Sequence, residues 1–418
     1  MKIFVNEKEC SFYSNEIAEY VIYSSNDEIE SEVDVRIEMD VAPVEVKVRP
    51  LSSGINAEIY ENQVNLKARL NSKLSVEFPN SDIKPVFLFL YTKEKPIEIT
   101  PNVRYYAPGE YTEEVLYLNS GETLYLAEGA ILHAHVIANE AENVTVCGRG
   151  IIDLAGYTAK SKRLLRFISG KNITVRDVTL TGAFGWSCSF WGCENILVEN
   201  VNIMTWLVVG DGIDVVGSHD VLIRDCFIRT ADDCIAIKAT SYSSEAGLKD
   251  VYNVKAHRCV LWNAEYGNGI EIGFETRCEE IYNIEFSDID LIHVGDVGWQ
   301  SGGAITIHNG DRARVHDIVY RDIRIEDCPK LFDFKVIDSR YSKDSERGVI
   351  EDVLLDNVRI VDGAFPASIL NGFEPENHPV RRIHFRNCSA HGEYIHNYTE
   401  CRMILEKTRN ITFEVTED

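Results

Sequence analysis

The chain has 418 residues, 45% of them hydrophobic, with 27 Gly and 11 Pro, a composition that excludes a disordered or collagen-like polymer and is too long for one ordinary compact domain. Its 42 Lys and Arg stand against 67 Asp and Glu, a net charge of -25, which argues against nucleic acid or an anionic membrane as partner because both require a positive surface. No apolar run approaches the roughly 18 residues of a membrane helix, so the chain reads as soluble, with two domains or one elongated repeat.

The opening segment, MKIFVNEKECSFYSNE, carries charges every few residues and lacks the apolar core of a secretory leader, so cytoplasmic residence is expected unless a leader was removed. The 11 cysteines are scattered without a CxxC pair, a reduced-thiol pattern. Residues 1 to 98 read as short alternating strands: Val33–Met39, Val44–Pro50, Ala57–Tyr60, Val64–Leu70, Leu74–Phe78 and Val86–Tyr91. Period-two alternation with frequent turn signals predicts a small β-sandwich, with Lys93-Glu-Lys-Pro96 as its exit linker and support or capping of the next domain as its role.

From Tyr105 the character changes. Asn or Asp opens a short β-branched stretch at 143, 172, 195, 220, 253, 283, 317, 352 and 410. Most instances are followed by a second strand about six residues later, and several by a third. Strand, turn, strand, turn, strand on a period above about 20 residues predicts an all-β fold, a right-handed parallel β-helix over residues 99–418. Gly121–Leu132 is expected to form its first coil. The sequons at Asn143, Asn172 and Asn410 sit at these strand starts and are read as structural. His133 and His135 alternate on a strand without further ligands, so no metal site is expected there, and no cofactor is called for.

Residues one coil apart lie side by side in such a fold. Asp211 precedes the pair Asp232-Asp233 by 21 and 22 residues, so three carboxylates should converge on adjacent rungs, raising at least one pKa as acid/base hydrolysis of an acetal requires. Their contexts are Gly210-Asp-Gly-Ile-Asp214 and Ala231-Asp-Asp-Cys-Ile-Ala-Ile-Lys238, followed by Tyr266-Gly-Asn-Gly-Ile-Glu-Ile-Gly273. This set resembles the NTDGxD, GDDCIxIK and GHGIxIGS motifs of glycoside hydrolase family 28, the polygalacturonases, and of the related family 49 of dextranases and isopullulanases. The likeness extends over roughly residues 100 to 330. It implies that Asp232 is the general acid, that Asp211 and Asp233 hold and deprotonate the attacking water, and that the anomeric carbon inverts, with a wide carboxyl separation leaving room for the water. Asp214 is expected to support its coil's turn.

Three positions depart from the pattern. Asn268 stands where the family has His, Val209 where it has Asn, and the region of the RIK substrate clamp, Ala304–His308, holds neither Arg nor Lys. A neutral or differently charged sugar is therefore expected unless Arg312, Arg314 or Lys335 reaches in. Lys238, Asn268, Glu271, His308 and Trp299 are the candidate substrate contacts, with Trp186 and Trp191 as further stacking candidates. Asp333, Arg340 and Arg347 form a polar stretch that either walls one groove end or packs a salt-bridged loop. The expected partner is an oligo- or polysaccharide, cleaved by exo action; a binding or structural β-helix and a polysaccharide lyase are the rival readings.

Overall fold

The computed structural model describes residues 1–27, 29, 31–95, 97–156, 163–295, 302–374 and 376–416, and the chain divides into two compact units, Met1–Ile99 and Thr100–Asp418. Of the linker candidate, Pro96 lies outside the described residues. Helix among the described residues amounts to two short 3-10 turns, Leu51–Ser53 and Glu245–Leu248.

The first unit is a sandwich of two five-stranded sheets. Along Glu32–Glu38, Val33, Val35 and Ile37 point inward and the intervening residues outward, which is what strand alternation requires when one face is wet. These side chains meet Ile3, Val64, Val76 and Leu88 in one core. All pairings are antiparallel except that of Glu19–Ser24 with Val86–Tyr91.

The second unit is a right-handed parallel β-helix in which thirty described strands form one continuous sheet. A coil is three strands, such as Lys171–Arg176, Thr179–Thr181 and Cys188–Trp191, and each pairs in parallel with its counterpart one coil on: Glu194–Glu199, Asn202–Met204 and Ile213–Val216. The repeat seen in the sequence has a backbone cause. Asn143, Asn172, Asn195, Asp220, Asn253, Asn283, Asp317, Asp352 and Asn410 all turn the corner at φ between 53° and 58°, the left-handed region that Asn and Asp tolerate best among residues with a side chain. Their side chains continue the stack: Asn172 donates to Asn143 at 2.9 Å, Asn195 to Asn172 at 2.7 Å and Asn283 to Asn253 at 2.6 Å. The next residue in each case points inward, building a column of Val144, Ile173, Ile196, Val221, Val254, Ile284 and Ile318 in matched register.

Gly121–Leu132 is not the first coil. Its strand Thr123–Leu126 pairs with Val103–Tyr106 before it and Glu142–Cys147 after it. Val103–Tyr106 and Gly109–Tyr117 form the earlier turn, which carries no Asn or Asp corner to announce it.

Inside the helix like residues stack, as in Phe167 over Phe190 at 5.2 Å and 9° between ring planes. Phe190 is fully buried, and Phe190→Ala leaves a cavity that two rigid neighbouring rungs cannot close. A loss of about 3–5 kcal/mol is expected, read as a lowered midpoint in urea unfolding followed by circular dichroism.

Candidate active site

Asp211 sits on the corner before strand Ile213–Val216, and Asp232 and Asp233 on the corner before Ile235–Ala239. Register places Ile213 beside Ile235 and Asp214 beside Ala236, so the two corners lie on adjacent rungs. Gly212 N donates to Asp233 O at 2.9 Å, and a Cβ at Gly212 would meet Cys234 O at 2.3 Å, which is why glycine separates the acidic residues there. The following coil comes as close: Gly267, at φ 67°, would place a Cβ 2.2 Å from Asp232 Oδ1. Asp211, Asp232 and Asp233 each bring an oxygen within 4.8 Å of the others.

The carboxyls differ in their partners. Asp233 Oδ1 accepts from Asn268 N at 2.9 Å and from Asn268 Nδ2 at 3.0 Å, so Asn268 serves the site by fixing a carboxylate. Lys238 Nζ lies 2.6 Å from Asp211, 3.2 Å from Asp214 and 3.4 Å from Asp233. Lys238 was expected to touch the sugar; it is 5% exposed and is first of all the cluster's counter-ion. Burial alone would lower its pKa, but Asp211, Asp214 and Asp233 more than offset this and hold it well above the usual value. Asp214 lies on a strand, fully buried, rather than on a turn.

Burial, reinforced by Asp233, pushes the Asp232 carboxyl up to about 7. Burial likewise raises Asp214 to about 6 and Asp211 well up, with Lys238 opposing both. Asp211, Asp214 and Asp232, all raised and mutually interacting, therefore favour retention of a proton in the cluster near neutral pH. Asp232 is the most exposed of the four, so it presents that proton to the pocket.

The pocket encloses about 470 Å³ and is lined by the three aspartates, Lys238, Asn268, Arg163, Trp186, Tyr242, Tyr266, Phe274, Glu275, Arg340 and Tyr341. Val208 and Val209 complete its rim. Val209 has φ 68°, strained for a β-branched residue and natural for the asparagine that the family motif has there. Trp186 stacks on Trp191 at 5.3 Å; Trp186 faces the pocket while Trp191 is fully buried beneath it. Trp299 lies outside the described residues.

Two candidate contacts are corrected. Glu271 and His308 have no exposed surface and pair with each other at 3.0 Å, so neither reaches a sugar. None of the three proposed replacement cations serves either: Lys335 is buried on Asp333 at 2.8 Å, Arg312 pairs with Glu279 and Asp344, and Arg314 pairs with Glu280 and Glu351. The polar stretch divides. Arg340 reaches the pocket, whereas Asp333 is held by Lys330, Lys335 and His308. Arg163, Tyr242, Phe274 and Tyr341 were not legible in the sequence; only the position of Arg340-Tyr341 within that stretch pointed to any of them.

Residues 133–374, more than half of the chain, match the model of glycosyl hydrolases family 28. Polygalacturonase QRT2 from Arabidopsis thaliana is 26% identical over 206 residues, covering 45% of this chain and 43% of that protein, so the chain spans less than half the length of this curated relative. Dex49A from Penicillium minioluteum superposes with TM-score 0.63 at 14% identity, over 96% of this chain and 83% of that one. A hyperthermoactive exopolygalacturonase from Thermotoga maritima gives 0.57 at 14%, over 74% and 84%, and the Yersinia enterocolitica family 28 exopolygalacturonase 0.56 at 12%, over 91% and 96%. At these identities the structural likeness concerns the fold.

Below the pocket, His308 is enclosed by Glu271 at 3.0 Å and Asp333 at 3.4 Å, with Phe274 stacked on its ring at 4.4 Å. Burial acts to lower its pKa, but Glu271 and Asp333 carry it from 6.5 up to about 9. Because the folded value lies above the unfolded one, the imidazolium's contribution is complete below about pH 6.5 and is lost as pH rises through about 9. The urea midpoint of the wild type is expected to fall across that window by more than that of His308→Gln; equal slopes would refute the buried imidazolium.

Proposed function

The chain belongs to glycosyl hydrolases family 28, and from that premise we propose that its pocket hydrolyses the terminal glycosidic bond of a uronate-bearing, pectin-type oligosaccharide with inversion at the anomeric carbon. The observation that carries the reading is the convergence of Asp211, Asp232 and Asp233 within 4.8 Å, with Asp232 lacking an ion pair to Lys238 and facing the pocket. Asp232 gives its proton to the glycosidic oxygen as the bond from the anomeric carbon to that oxygen breaks. Asp233, with Asp211 beside it, takes the proton of the water that attacks from the opposite face. The wide carboxyl spacing that usually accompanies inversion, roughly 6.5–9.5 Å, is not met at the nearest oxygens, so the anomer is the decisive product measurement.

A charged substrate is favoured by Arg163 and Arg340. Both line the pocket, and among the described residues neither is joined to a carboxylate by an ion pair, in a chain of net charge -25. An unpaired guanidinium facing a cavity is a carboxylate receptor by geometry and charge. Exo action is favoured by the segment that carries Arg340 and Tyr341. It is pinned by Asp311, which accepts from Lys343 N at 2.6 Å and Asp344 N at 2.8 Å, and by Arg312 on Asp344 at 2.6 Å. A fixed wall on that side of the pocket suits a chain end better than a polymer passing through.

The test is a reducing-sugar screen of the wild type and Asp232→Asn on galacturonides, rhamnogalacturonan fragments, dextran and other α-glucans, with product anomers read by NMR. Hydrolysis of a uronide releasing single residues with inverted anomer, and at least about a thousandfold slower in the variant, is expected. A retained anomer would make Asp211 or Asp233 a nucleophile, and no hydrolysis of any glycan would favour a binding β-helix. On the substrate found, Arg340→Ala should raise KM about ten- to a hundredfold with kcat little changed; equal turnover of neutral α-glucans by both proteins would reject the uronate class.

A further inference from the structure

Lys238 occupies an unusual position for a cation beside a sugar pocket. Its Nζ is 2.6 Å from Asp211 Oδ2, 3.2 Å from Asp214 Oδ1 and 3.4 Å from Asp233 Oδ2, and among the described residues no ion pair joins it to Asp232. The indole of Trp186 closes over it with 4.5 Å from Nζ to the ring centroid, while Trp191 packs behind that indole. Arg163 also lies on these indoles, 4.6 Å from the Trp186 ring and 5.2 Å from that of Trp191. The ammonium is thus largely buried with its carboxylates at the edge of the pocket, where water screens the interaction weakly and each ångström of distance changes it steeply. Other charges face it from the neighbouring coils. Glu275 acts on it from the following coil, and Arg163, which precedes a strand two coils before that of Asp214, acts on Asp214 and Asp211.

We propose that Lys238 is the positioning residue of this site: by sharing its ammonium among Asp211, Asp214 and Asp233, and withholding it from Asp232, it decides which carboxyl carries the proton. Asp214 takes part as the third partner. It is fully buried and absent from the pocket wall, so it can meet no substrate, yet it draws Lys238 inward and competes with Asp211 and Asp233 for the same charge. The inference rests on the acid/base reading of the cluster. It assigns to two side chains outside the reacting trio the task of separating acid from base among three carboxyls that all lie within 4.8 Å of one another.

Two substitutions push the cluster in opposite directions. Lys238→Met keeps the length of the side chain and removes its charge, so every carboxyl near it becomes harder to ionise. Asp214→Asn removes a competing negative charge, so Asp211 and Asp233 become easier to ionise. The measurement is a pH titration of carbon-13-carboxyl aspartate in the full-length protein, with cluster resonances assigned by the Asp211→Asn, Asp232→Asn and Asp233→Asn variants. The highest apparent titration of the cluster is expected to move up by about one pH unit or more in Lys238→Met and down by a comparable amount in Asp214→Asn. Unmoved titrations in folded Lys238→Met, or an unmoved or upward shift in Asp214→Asn, would overturn the proposal. Should Lys238→Met not fold, Asp214→Asn decides alone. The readout needs no substrate, so it stands apart from the glycan screen. In an active enzyme the same shifts should appear in the limbs of the kcat/KM profile with KM unchanged, whereas a sugar contact by Lys238 would move KM and leave the limbs in place.

Discussion

Parallel stacking in register is the constraint on which the rest of this molecule depends. Apart from Glu393–Tyr394, which pairs antiparallel with Ser389–Ala390, each described strand of the second unit finds its hydrogen-bonding partner one coil away, and no coil can bury its own apolar face. A residue's principal neighbour is therefore its counterpart in the next coil, at the fixed spacing of a sheet ladder. Columns of like side chains follow: β-branched residues inward, Asn and Asp at the left-handed corner, and rings lying face to face as in Phe286 and Tyr320 at 5.4 Å. The same rule brings Asp211 beside Asp232 and Asp233, so the site's geometry is a property of the ladder before it is a property of any side chain.

Stacking also concentrates charge. Asp214 and Lys238 stand on outward-facing strand positions that are nevertheless buried, and so do Glu271, His308, Asp333 and Lys335 further along the same face. A buried charge is costly unless paired and hydrogen-bonded, and each of these has an opposite charge within 3.4 Å. Two paired groups lie side by side: an acid-rich one with one ammonium at the pocket, and a base-rich one with His308, Lys330 and Lys335 around Glu271 and Asp333. Phe274 joins them physically, since its ring rests on His308 and its other surroundings include Tyr341 and the pocket. The floor of the site is therefore held by ion pairs rather than by apolar packing alone.

This architecture explains which parts of the site could be read from sequence. The Asn and Asp corners were visible because a left-handed turn selects residue type locally, and the three aspartates because one coil is one interval in sequence. Glu271 and His308 were misread for the same local reason. Alternation along Ile270–Thr276 and Gly303–Asn309 marks them as outward, and outward means exposed on a simple sheet, but here both are fully buried, with the Phe274 ring stacked on His308. Trp186 and Trp191 could not be told apart, since which indole faces the pocket is settled by the stack and not by the segment Gly185–Trp191. Arg163 and Arg340 were the least legible. They come from segments about 180 residues apart and acquire meaning only when the coils bring both to one cavity. In the first unit, strand content was overestimated at Val44–Pro50, where only Lys47–Arg49 pairs, because alternation predicts extended backbone and not the partner that makes it a strand.

The ladder leaves little freedom in how far apart the reacting carboxyls stand. In glycosidases whose two carboxyls come from independent elements, separation is adjustable and divides water-holding from nucleophilic roles. Here the oxygens lie within 4.8 Å because adjacent rungs do, and no side-chain substitution on those corners would move the rungs. What distinguishes the three carboxyls is then the charge and hydrogen bonding around each. Asn268 gives two donors to Asp233, Lys238 pairs with three carboxyls, and Asp232 is the carboxyl left without that ion pair on the pocket wall. Distances set by the ladder and charges set by neighbours are separable contributions, and in this chain the second comes from Asn268, Asp214 and Lys238, which flank the three aspartates.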